Sequence, residues 1–147
     1  MMQENRIEDI IARDGMYVST VTGGSMKPML VDRRDTVVIS PPVGRLKKYD
    51  VALYRSNGKY VLHRVVKVLP DSYVMCGDNC VLLEKGIKDE DVIGMLSEAW
   101  QGDRKLDLNS PRYRFYCRRR IAAFYPRKLF RRVRGIVASA FKKVFKK

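Results

Sequence analysis

The sequence predicts a mainly β domain, a coiled or barrel-like sheet of short strands, entered by one short helix and followed by a basic amphipathic helical tail. Three observations carry this prediction. Short β-branched or alternating runs recur between residues 16 and 96, each bounded by Gly, Pro, Asn or Asp. Asn57-Gly58 separates two of these runs, and both positions of a type I′ hairpin turn need positive φ. Charge also changes abruptly near Pro111. Residues 1–111 hold 16 Lys and Arg against 16 Asp and Glu, whereas residues 112–147 hold 14 Lys and Arg and no acid. The net charge of +14 therefore lies wholly in the C-terminal segment. The expected division is a neutral folded domain over 1–111 and a basic tail over 112–147.

The elements follow in order. Ile7, Ile10 and Ile11 have helical spacing within residues 4–14, and Gly15 supplies a stop signal. Residues 16–22 alternate as a strand and lead into Gly23-Gly24-Ser25-Met26-Lys27-Pro28. Thr36 to Ser40 is a second strand, ended by Pro41-Pro42. Tyr49 to Arg55 and Lys59 to Leu69 form the arms of the hairpin. In the second arm Val61, His63 and Val65 share one face by the period of two. Tyr73 to Cys76 is a further strand running into Gly77-Asp78-Asn79, and Val92 to Leu96 closes the sheet. Beyond Pro111 two helices are expected, divided at Pro126. The second has an apolar stripe from Leu129 to Phe145 and a cationic opposite side.

Composition narrows the functional classes. Cys76, Cys80 and Cys117 make an odd set without a repeated metal spacing, and the chain has one histidine. Neither a disulfide framework nor a four-ligand zinc site is expected from them. No metal or other cofactor is expected. Residues 1–14 contain Glu4, Glu8, Asp9 and Asp14 and show no secretory signal. No run reaches the roughly 18–20 apolar residues of a membrane span. The expected location is cytoplasmic.

The residues able to carry chemistry are few. Gly23 and Gly24 place Ser25 on a sharply bent loop that Pro28 closes. A serine hydroxyl is a weak nucleophile and needs a base, which must itself be oriented. His63 is the sole histidine, so it is the one group whose ordinary pKa, about 6.5, lies near neutral pH. Asp78, between a glycine and an asparagine, reads by itself as a turn residue.

Taken together, Gly24-Ser25-Met26-Lys27-Pro28, Val61-Leu62-His63-Arg64-Val65-Val66, Gly77-Asp78-Asn79 and Val92-Ile93-Gly94 resemble the successive boxes of type I signal peptidases. The resemblance spans roughly residues 16–100. A histidine in the second box makes the chain similar to the endoplasmic-reticulum and archaeal form, in which histidine replaces the usual lysine base. The resemblance implies a coiled β-sheet fold and a serine endopeptidase acting on signal or leader peptides. Ser25 is then the nucleophile, His63 the base, and the Ser25 N–H part of the oxyanion hole, with Gly23 and Gly24 shaping the turn. Met26 and Pro28, in the same box, are the expected substrate contacts.

Four departures accompany this resemblance. Gly23 stands where the family often has a second serine, so a backbone N–H or Thr22 must serve the oxyanion. Glu84 stands at the position of the triad acid, leaving open whether Glu84 or Asp78 orients His63. The usual N-terminal anchor is missing, and so is a route to the outer side of a membrane. The tail is expected to replace the anchor. A cationic amphipathic helix lies in the interface of an anionic bilayer, and each Lys or Arg near that surface contributes about 1 kcal/mol. The expected partners are thus a peptide or preprotein and the inner face of the membrane, with the domain peripheral to it. Nucleic acid is disfavoured, because the regular apolar stripe suits lipid or protein better. The competing readings are a self-cleaving-repressor-like module, which the sequence lacks an Ala-Gly site to support, and a non-catalytic peptidase-like domain with a binding tail.

Overall fold

A computed structural model describes residues 6–146. Helix α1 (Ile7–Asp14) stops at Gly15, whose N–H bonds to the Ile11 carbonyl; the part of the expected helix before Arg6 lies outside the described residues. Eight strands follow: β1 (Tyr17–Thr20), β2 (Thr36–Ser40), β3 (Val51–Ser56), β4 (Lys59–Val68), β5 (Tyr73–Cys76), β6 (Glu84–Ile87), β7 (Val92–Gln101) and β8 (Arg104–Leu106). Helices α2 (Pro111–Ala122) and α3 (Phe124–Val144) end the chain.

The strands form one antiparallel sheet in the order β1-β2-β7-β3-β4-β5-β6, curled into a half-barrel, with β8 paired to β7. The domain is mainly β, as the alternating runs predict. Asn57 and Gly58, at φ 51° and 75°, make the β3–β4 turn and set a register of Ser56 with Lys59 and Ala52 with His63. Strand β7 is the hinge of the curl. It pairs with β3 through its first residues and with β2 through its later ones.

Two apolar clusters cover the two faces. One gathers Met26, Met29, Leu30, Val37, Ile39, Val51, Leu53, Leu96 and Ala99. The other gathers Leu46, Ala52, Tyr54, Val65, Tyr73, Met75 and Ile87. Successive residues of β3 thus alternate between clusters, which is why nearly the whole strand is buried. Helix α1 is fastened across the hairpin. Glu8 accepts from Arg55 Nε at 2.6 Å and from the Tyr60 hydroxyl at 2.7 Å, and the Arg55 guanidinium holds the Glu8 carboxyl down at about 2.

The structure differs from the sequence expectation in three respects. Strand β7 runs to Gln101 rather than Leu96, and β6 and β8 are additional strands. The break between the last helices falls at Ala123, and Pro126 sits in the first turn of α3. A proline is tolerated there, because the first-turn N–H groups have no partner within the helix. The third difference concerns the domain boundary. Ser110 caps α2 by accepting the Tyr113 N–H, and α2 then seats Tyr113 and Tyr116 against the first cluster with Cys117 1% exposed. The expected cut between 111 and 112 therefore passes through packed structure.

Candidate active site

Strand β1 delivers the chain into a loop, residues 21–35, that two carboxylates hold shut. Asp32 accepts the Gly23 N–H at 2.8 Å. Asp35, fully buried, accepts the N–H groups of Val31 and Gly102 and the guanidinium of Arg34. Met26, Met29 and Leu30 plug the loop into the core from below. Ser25 is left half-buried on the loop's outer side.

A second loop is stapled against the first. The Asn79 N–H donates to the Ser25 carbonyl at 2.8 Å, and the Asn79 side-chain amide donates to the Gly24 carbonyl at 3.1 Å. Gly77 marks the tightest point between loop and strand. A Cβ there would lie 2.6 Å from the Ser25 carbonyl oxygen, 2.8 Å from Cys80 Sγ and 3.0 Å from His63 Cδ2. The Ser25 loop and the imidazole therefore converge on one glycine. Cδ2 adjoins Nε2, so this edge of the ring carries the nitrogen that would serve the hydroxyl.

His63 projects from β4 and is 8% exposed. Its Nδ1 lies 3.1 Å from the Tyr54 hydroxyl and 3.7 Å from Glu84 Oε1. Two such neighbours suit an Nδ1–H tautomer, with Nε2 left as the basic lone pair. Burial pushes the His63 pKa below its ordinary value, against the opposing charges of Glu84 and Asp78. The ring is thus neutral, and a base, at neutral pH. Burial, and then the charge of Glu84, raises the Tyr54 pKa, so its phenol keeps its proton.

Ser25, His63 and Glu84 line one groove of about 410 Å³. Thr22, Gly23 and Met26 border it, and Val37, Ile39, Leu53 and Leu62 make its apolar floor. Among the described residues Ser25 Oγ and His63 Nε2 make no hydrogen bond to each other, and such contacts often close only around bound substrate. The Ser25 N–H is likewise without a partner among the described residues, which leaves it available to an oxyanion.

The remaining expected site residues are engaged differently. Asp78 does not orient His63. Its carboxylate takes Arg64 Nε and Nη2, both at 2.8 Å, and the Tyr116 hydroxyl at 2.7 Å. Arg64, 1% exposed, needs that partner because a lone buried guanidinium is costly. Burial lowers the Arg64 pKa, and the Asp78 hydrogen bonds and charge more than offset it, so Arg64 stays charged. Pro28 faces a separate depression with Met29, Tyr113 and Tyr116 and not the groove. Met26 does border the groove but is 2% exposed, offering little surface to a ligand. The Gly23 N–H is occupied by Asp32 and is not an oxyanion donor.

Tyr54 is the residue that sequence reasoning missed. The hairpin register sets Tyr54 opposite Val61, diagonal to His63 on the same face, so counting back from Asn57-Gly58 would have found it. A serine and a buried, neutral imidazole thus line one apolar-floored groove, and these are residue types that nucleophilic catalysis uses. No family model, curated protein or solved structure matches the chain.

Proposed function

We propose that this protein is a serine endopeptidase of the signal-peptidase type, in its histidine form. The observation that carries the reading is the convergence of the Ser25 loop and the His63 ring on Gly77 within one groove. The half-barrel of antiparallel strands is compatible with the coiled sheet that the resemblance implies.

The chemistry follows from the positions. His63 Nε2 takes the Ser25 Oγ proton as Oγ attacks the scissile carbonyl carbon. The carbonyl π electrons move to oxygen, and the Ser25 N–H stabilises the oxyanion. The imidazolium then gives its proton to the departing amine, leaving an acyl-serine. Water repeats the sequence, with His63 as base, and frees the carboxylate. Glu84 stabilises the transient imidazolium across 3.7 Å, and the Tyr54 hydroxyl fixes the ring's rotation. The substrate is a peptide or preprotein leader lying extended along the groove. Strand β1, at one end of the sheet order, borders it through Ser19 and Thr20 and can pair with such a chain.

A fluorophosphonate probe, which phosphonylates activated serines with loss of fluoride, tests the proposal without knowledge of the substrate. Intact-mass analysis should show one adduct on the parent chain, none on Ser25→Ala, and at least about a hundredfold slower labelling of His63→Ala. Labelling of Ser25→Ala at the parent rate would remove Ser25 as the nucleophile, and a parent chain that takes no adduct would overturn the catalytic reading.

A further inference from the structure

Helix α3 grips the domain with its arginine side and turns its apolar side outward. Phe124 is 4% exposed. Arg127 donates to the carbonyls of Asp78 and Arg120, and Arg131 donates to the backbone and side-chain carbonyls of Asn79. At about 100° per residue these three side chains share one side of the helix. Leu129, Val133, Ile136, Val137 and Val144 lie across from them with Phe141 at the edge of the stripe, and the exposures of these six run from 49% to 71%. With the arginine side fastened to the 78–79 backbone, the stripe cannot rotate on to the sheet.

Charge decides what covers this stripe. Lys128, Arg132 and Lys143 run along one shoulder and Arg134 along the other, and no acidic residue follows Asp107. A second copy of the helix would bring like charges face to face, with no acid to pair them. A nucleic acid would leave the stripe in water while Arg127 and Arg131 stay committed to the domain. An anionic surface with an apolar interior satisfies both faces at once.

We propose that α3 lies in the interface of an anionic lipid bilayer. Its stripe enters the acyl boundary, its flanking lysines and arginines sit among the headgroups, and the β domain is tethered there by the Arg127 and Arg131 contacts. No helix of the described residues is long and apolar enough to cross a membrane, so the attachment is peripheral. The docking is independent of whether Ser25 acts as a nucleophile, and its test involves no cleavage.

The test is co-sedimentation of the full chain with vesicles of phosphatidylcholine alone or of phosphatidylcholine with phosphatidylglycerol, across a salt series. Binding should be at least about tenfold tighter to the anionic vesicles and should weaken as salt rises. Lys142→Glu with Lys143→Glu should weaken it about thirtyfold or more. Val133→Asp with Val137→Asp should weaken it at least about tenfold, because two charges would have to enter the acyl boundary. Circular dichroism of each variant should match the parent, so that a loss of binding reports the surface and not unfolding. Equal binding to both vesicle types, or parent-like binding by both variants, overturns the proposal. So does preferential capture by duplex DNA at matched salt, or a stable dimer in sedimentation velocity that replaces vesicle binding.

Discussion

Replacing Gly77 by alanine inserts one methyl group where the two halves of the candidate site meet. Its carbon would stand 2.6 Å from the Ser25 carbonyl oxygen, 2.8 Å from Cys80 Sγ and 3.0 Å from His63 Cδ2. A carbon and a carbonyl oxygen rest together at about 3.3 Å or more, so the Ser25 backbone must retreat by about 0.7 Å. It cannot yield freely, because Asn79 holds that carbonyl at 2.8 Å and the buried Met26 follows it. The ring of His63 is similarly confined by Tyr54. Overpacking of this kind costs about 1–3 kcal/mol in stability. Misplacement by 1 Å costs on the order of a hundredfold in rate, so a 0.7 Å displacement should cost between about tenfold and a hundredfold. The assay is the second-order rate of fluorophosphonate labelling at Ser25, read beside the thermal midpoint. Gly135→Ala is the control, since a Cβ there meets nothing within 4 Å; it should leave labelling unchanged and raise stability by about 0.5–1 kcal/mol. Parent-like labelling by Gly77→Ala would refute the reasoning, for it would mean that the Ser25–His63 spacing does not govern reactivity.

Further outcomes follow from the same geometry. Because His63 is the sole histidine, its imidazole resonances titrate without overlap in NMR; burial should place the midpoint below about 6.5, with labelling falling as pH drops through it. Glu84→Gln removes a charge that favours the imidazolium, so that midpoint should move lower still and the rate should drop; an unmoved midpoint would deny Glu84 its role. The sign for stability agrees, since a depressed histidine pKa stabilises the fold above the unfolded value and loses that contribution as the solution is acidified. Asp78→Asn should act through the fold instead, lowering stability by about 3–5 kcal/mol by leaving Arg64 buried without its carboxylate, whereas Glu84→Gln should unfold near the parent midpoint; chemical denaturation separates the two.

Much of the strand pattern was legible because turn chemistry punctuates it. Asn57-Gly58 alone fixes the β3–β4 register, and with it the side of the sheet that His63 faces. The Ser25 turn was legible for a similar reason, being written in glycines and a proline. Tyr54 was hidden because an aromatic residue at alternating spacing in a strand looks the same whether it packs in a core or orients an imidazole. The choice between Glu84 and Asp78 stayed open because the claimant of Asp78, Arg64, sits next to His63 in sequence but on the opposite face of β4. The strands β6 and β8 carry Glu84-Lys85-Gly86 and Arg104-Lys105, polar residues that give no apolar alternation. Helix α2 was assigned to the tail because its arginines dominate the composition, while only Tyr113, Tyr116 and Cys117 reveal its buried side.

The loop that carries Asp78 and Asn79 has most of its outer support from the last third of the chain. Tyr116 reaches the Asp78 carboxylate, Arg120 and Arg127 reach its carbonyl, and Arg131 reaches Asn79. Amputating the protein where its electrostatic character changes would therefore strip the buttress from behind Ser25, and a dead product would say nothing about lipid. A shortened form meant to work in free solution has to keep its helices as far as Arg131 and surrender only what lies beyond.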